Sequence, residues 1–161
     1  MKKYLLAALA ITFLYGCNSA NDKKNAHEGH AHHDSDGPVS DQTQQMLAIH
    51  DSIMPHMDKL MDYKKQISLD LKKTDSLISI KSSDVLKARK EEAQKLHAEL
   101  DSADKAMMGW MHEFKFDTLK SLDKSEAEAY VADQKKKIEN VKVLMNKSLS
   151  DASEFIGKIK K

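Results

Sequence analysis

From residue 41 to residue 160, apolar residues recur at alternating steps of three and four, with lysines and acids filling the places between. That period marks one buried helical stripe, close to a coiled-coil seam, and does not fit the strict alternation of a half-buried strand. The first stretch carries Met46, Ile49, His50, Ile53, Met57, Leu60, Ile67, Leu71 and Ile78. The second carries Leu86, Ala93, Leu96, Leu100, Ala103, Met107, Trp110, Met111 and Phe114. The third carries Ala127, Val131, Ile138, Val141, Met145, Ala152, Phe155, Ile156 and Ile159. Breaks are expected near 79–83 and 115–123, where Ser82-Ser83 and Ser125-x-x-Glu128 offer N-terminal caps, the second as a capping box. The pattern therefore predicts an all-α chain: an elongated antiparallel three-helix bundle over residues 41–161, with helices at about 41–79, 83–114 and 123–159. Pro55 should kink the first helix or start a second one there. Five Gly and two Pro in 161 residues are too few for a turn-rich β fold. A net charge of +1 gives no field for gripping nucleic acid.

Residues 1–16 read as an address. Two lysines precede an apolar run from Tyr4 to Leu14, which ends in Leu14-Tyr15-Gly16-Cys17. Such a run is too short to span a bilayer, which takes about 20 residues of helix, so it reads as a secretory signal. The Leu-x-Gly-Cys ending resembles the bacterial lipoprotein box, which implies that the Cys17 thiol receives a diacylglycerol and that Cys17 begins the mature chain. A lipid role also accounts for the position of the only cysteine, which by itself excludes a disulfide framework. Removal of Lys2 and Lys3 with the signal leaves 24 basic against 25 acidic residues, a net charge of −1. No acidic run follows Cys17, which favours an outer-membrane lipoprotein facing the periplasm, held to the membrane by its lipid.

Residues 17–40 form a polar tether with almost nothing to bury, a composition expected to stay disordered. It carries His27, His30, His32 and His33, half of the eight histidines. A short histidine tract of this kind is suited to loose binding of zinc or copper, or is simply a polar linker.

Methionine and histidine are unevenly spread over the helices. Of the eight methionines after Met1, seven fall in two windows: Met46, Met54, Met57 and Met61, then Met107, Met108 and Met111. His50, His56 and His112 lie in the same windows. A hairpin turning near residue 82 makes facing positions sum to about 164, at equal rise per residue. Met57 then lies level with Met107, His56 with Met108 and Met54 with Trp110, and a second loop near 119 brings in Tyr130 and Ala127. Thioethers and imidazoles are soft, neutral ligands that suit Cu(I), and thioethers cannot be lost to disulfides in an oxidising compartment. The candidate ligands are His50, Met54, Met57, Met107, Met111 and His112. Methionine at helical spacing serves equally well as an adaptable core filler or as a greasy surface for an envelope protein partner. Both readings stay open at this level.

The sequence offers little to an enzyme. His50-Asp51-Ser52 are adjacent on a helix, so their side chains diverge and form no triad. The residues three before His50, His56, His97 and His112 are Leu47, Ile53, Gln94 and Gly109, which removes the Glu-x-x-His pairs of di-iron bundles. There is no phosphate-cradling loop and no zincin motif. A non-enzymatic role is expected.

Gly16-Cys17, the short histidine-bearing tether, Ile49-His50-Asp51-Ser52-Ile53-Met54-Pro55 followed by Met57, and Ala106-Met107-Met108-Gly109-Trp110-Met111 followed by Phe114 together resemble a group of small Bacteroidetes lipoproteins that carry the name "viral A-type inclusion protein". The likeness covers nearly the whole chain. It implies a lipid-anchored helical protein of undefined function and transfers no catalytic residue.

Overall fold

The computed structural model describes residues 38–160, with side chains from residue 41 onward. The signal segment, Cys17 and the tether histidines His27, His30, His32 and His33 lie outside the described residues. All described residues belong to one compact unit, Asp34–Lys161. Among the described residues its core runs from Met46 to Ile156, a single apolar cluster of the kind that lets a unit fold as a domain.

Among the described residues five helices follow one another: α1 (Pro38–Ile53), α2 (His56–Ile80), α3 (Asp84–Glu113), α4 (Phe116–Ser121) and α5 (Lys124–Ile159). Pro55 starts a second helix. It has no N–H to offer the preceding turn, so α1 closes with the Met54 amide donating to the His50 carbonyl at 2.9 Å. α2 then begins on Pro55 itself, whose φ of −61° is already helical. At the next turn Ser83 caps α3, its hydroxyl accepting from the Leu86 amide at 3.3 Å.

The third long helix starts earlier than its serine motif predicts. Asp123, not Ser125, is the N-cap of α5, and it forms a complete capping box with Glu126. Asp-x-x-Glu and Ser-x-x-Glu both satisfy the pattern, and the earlier one adds two residues of helix. The expected loop over 115–123 also contains α4, one and a half turns of helix that pack on α5.

Polar pairs between helices set direction and register. Lys64 binds Asp101 at 3.0 Å and Asp104 at 2.9 Å, and Lys90 binds Asp75 at 2.7 Å, so α2 and α3 are antiparallel. Lys158 reaches Glu92, and the Trp110 indole donates to the Gln134 carbonyl at 3.2 Å, so α3 and α5 are antiparallel too. Gln45 with Lys135 and Tyr63 with Ser153 are each separated by 90 residues, the constant offset of parallel neighbours. The result is an up-down-up antiparallel three-helix bundle in which α1 and α2 share the first rod.

The expected stripes are the ones that enter the core. Met46, Ile53, Leu60, Ile67, Ala93, Leu100, Ala103, Met107, Ile138 and Met145 are fully or almost fully enclosed. Five polar side chains besides His50 are also buried: Thr43, Asp70, Thr74, Gln134 and Ser148. Asp70 is held by the guanidinium of Arg89, which donates to both carboxylate oxygens.

Lys105 and Lys64 hold the Asp101 carboxyl at about 2, below its usual 3.8, by donating hydrogen bonds to it. Burial pushes the Lys64 amine down, but its bonds to Asp104 and Asp101 outweigh this and leave it above 10.5. A carboxylate with a depressed pKa stabilises the fold above its unfolded value and loses that contribution as pH falls toward the folded value. The melting-temperature gap between wild type and Asp101→Asn is therefore expected to be present at pH 6 and to close between pH about 4 and about 2. A gap that stays constant down to pH 2 would remove the interhelical ion pair from the stability of the hairpin.

Candidate metal centre

The end of α1 and the last turns of α3 meet where His50 faces Trp110, and the Trp110 indole links them to α5 at Gln134. The His50 side chain is 3% exposed, on the core side of the last turn of α1. The imidazole lies 5.3 Å from the Trp110 ring, tilted by 33°. Its Nδ1 is 2.9 Å from the Asp51 carboxylate, a contact of the kind that fixes the tautomer and orientation of a ligating ring.

The thioethers around this junction differ in access. Met46 and Met107 are fully enclosed. Met54 sits in the two-residue break between α1 and α2, and with Met57 and Met111 it is half-buried against the same core. Met61 and Met108 are 52% and 53% exposed. Of the six expected ligands, His50 and Met107 are buried, and Met54, Met57 and Met111 pack partly buried against the one core that runs through the bundle. His112 does not join them. It is exposed, because two residues along a helix turn a side chain about 200° from the buried Trp110. His56 is also apart: it lines an open groove of about 520 Å³ with Lys59 and the α5 residues Asn146, Ser150 and Ser153.

Register differs from the expectation by one turn. Trp110 meets His50 rather than Met54. On α5 the level of Trp110 is taken by Gln134, not by Tyr130 or Ala127. The cause is α4, which moves the effective turn toward Asp123 and slides α5 along α3. Tyr130 instead stacks on Phe114, at 6.1 Å between centroids, and its hydroxyl accepts from the Lys115 amide. Phe114 also stacks on Trp110 at 5.6 Å and meets Phe116 edge-on at 4.8 Å, so four aromatic rings close this end of the bundle.

Gln134 is the polar residue that periodicity could have found. It falls at a core position between Val131 and Ile138, and it is 3% exposed. Its side-chain oxygen is buried without a hydrogen-bond partner. A buried polar atom of this kind costs stability and marks a place where the interior is not purely apolar.

Among the described residues no three His, Cys, Asp or Glu side chains come together as a metal site. No described helix is long and apolar enough to cross a membrane. No family model, curated protein or solved structure matches the chain. The class reached here is an all-α antiparallel bundle with a methionine-rich junction.

Proposed function

We propose that this chain is a lipid-anchored helical protein of the cell envelope, kin to the small lipoproteins it resembles, and that it binds copper as Cu(I) at the methionine-rich junction. Cys17 carries the lipid, and the bundle faces the periplasm from the outer membrane. One observation supports the metal reading: a buried imidazole beside Asp51 is set against Trp110, which joins the two methionine-bearing windows, and Met54, Met57, Met107 and Met111 all belong to or pack against the same core. Neutral sulfur and imidazole donors satisfy a monovalent soft ion at low coordination number without burying a compensating charge. The aromatic rings at this end keep water from competing. His27, His30, His32 and His33 act as a looser collector of copper or zinc on the tether. The role is binding, not catalysis.

Titration of Cu(I) into residues 34–161, which exclude the tether histidines up to His33, tests this through Trp110, the only tryptophan. Saturating fluorescence quenching at one equivalent is expected, with Zn²⁺ giving none. An emission unchanged by micromolar Cu(I) would sink the metal reading.

A second reading has its own support. Met46 and Met107 are wholly enclosed, as core fillers are, while Met61 and Met108 lie open on the surface. On that reading the protein is a structural adaptor, and the exposed thioethers form a contact surface for an envelope partner.

A further inference from the structure

The other end of the bundle is built differently. The offset of 90 residues between α5 and the first rod puts Ile159 level with Leu69, and Lys158 reaches Glu92. Beyond that level α2 and α3 continue as a two-helix hairpin, turning through residues 81–83, with no described residue of α5 against them. Four of the eight exposed large apolar side chains among the described residues lie here: Leu69 at 57%, Leu77 at 41%, Ile80 at 83% and Val85 at 78%. The last two flank the turn itself.

The charge of this tip is one-sided. Residues 69–91, between the levels of Leu69 and Glu92, contain six basic and four acidic residues, a net +2 on a chain whose total is +1. Three of the four acids are paired within the hairpin, Asp70 by Arg89, Asp75 by Lys90 and Asp84 by Lys87, and exposed Glu91 makes no ion pair among the described residues. Lys72, Lys73 and Lys81 make no ion pair among the described residues. The charge left over is therefore three lysines against the one carboxylate of Glu91, cationic on balance, beside uncovered Ile80 and Val85.

We infer that the α2–α3 tip is a docking element for an anionic lipid surface, inserting Ile80 and Val85 at the headgroup boundary while Lys72, Lys73 and Lys81 meet the negative headgroups. Apolar side chains at an interface and lysines reaching back to phosphates are the two contributions that hold peripheral elements on membranes. A second copy is a poorer occupant, because two such tips would set three unpaired lysines against three. The inference is independent of the copper reading and of the lipid on Cys17.

Co-sedimentation of residues 34–161 with vesicles tests it, since this unit holds the whole core and lacks the lipidated cysteine. Partition onto phosphatidylglycerol/phosphatidylcholine vesicles is expected at low salt, falling as salt rises and absent on phosphatidylcholine alone. The Lys72→Gln/Lys73→Gln/Lys81→Gln variant should bind about a hundredfold less, at about fivefold per lysine. Ile80→Ser/Val85→Ser should lose about tenfold. Both alter exposed positions only, so their circular dichroism should match wild type. Lys136→Gln/Lys142→Gln on α5 is the control and should bind unchanged. Equal binding by wild type and both tip variants, or none to anionic vesicles, would overturn the assignment. Self-association abolished by Ile80→Ser/Val85→Ser would overturn it in favour of a second copy.

Discussion

Trp110→Ala is expected to destabilise residues 34–161 by about 3–5 kcal/mol, the range for emptying a buried aromatic site. The size follows from what the indole joins. Trp110 is 5% exposed, lies 5.3 Å from His50 on α1 and 5.6 Å from Phe114, and donates to the Gln134 carbonyl on α5. All three rods therefore lose a contact at once, and the aromatic closure loses its base. A unit of this length typically has between about 5 and 15 kcal/mol in total, so melting should fall by roughly 10–20 °C. Urea unfolding followed by circular dichroism measures it without the tryptophan signal. Trp110→Phe keeps the stacking and should cost less than half as much. A loss under about 1 kcal/mol for the alanine variant would mean that the rods are held together elsewhere.

The bundle was legible because its period is long and unbroken. Over three stretches the apolar residues sit one or two turns apart on the same face, and a helix that repeats this must bury that face whatever its loops do. Pro55 was legible for the same kind of reason, a chemical incapacity that no tertiary contact repairs. What eluded the sequence depended on choices between near-equal local options. Residues 115–123 read as a break, yet Phe116–Ser121 is helical, and its phenylalanine is held by Phe114 across the turn. Asp123 and Ser125 both head a capping box pattern, and only packing selects the first.

The slide of α5 follows from these two, and with it the exchange of Tyr130 for Gln134 beside Trp110. Convergence of the two methionine windows could be inferred because an antiparallel hairpin maps one helix onto the other about its turn. Facing was harder to read. His112 pairs with Met108 at i, i+4, a local relation that says nothing of which side meets the core, and the structure turns both outward. Buried Thr74 and Gln134 were missed because a polar residue breaks an apolar pattern without erasing it.

The same facing separates the two functional readings. In Met54→Leu/Met57→Leu/Met111→Leu the half-buried sulfurs at the junction become methylene branches of similar volume. Such swaps typically cost under about 1.5 kcal/mol each, so the bundle should still melt cooperatively. If copper is held there, three soft donors vanish while His50, Asp51 and Trp110 remain to report it. Affinity for Cu(I) should fall at least about a hundredfold, near 2.7 kcal/mol of binding energy. Met61→Leu/Met108→Leu removes the exposed sulfurs instead, and should leave copper affinity within about threefold of wild type. Under the adaptor reading neither variant has an affinity to lose, and the exposed pair is the one whose replacement by a charged residue would weaken partner capture. A junction variant that binds Cu(I) as tightly as wild type would leave the buried methionines as packing alone.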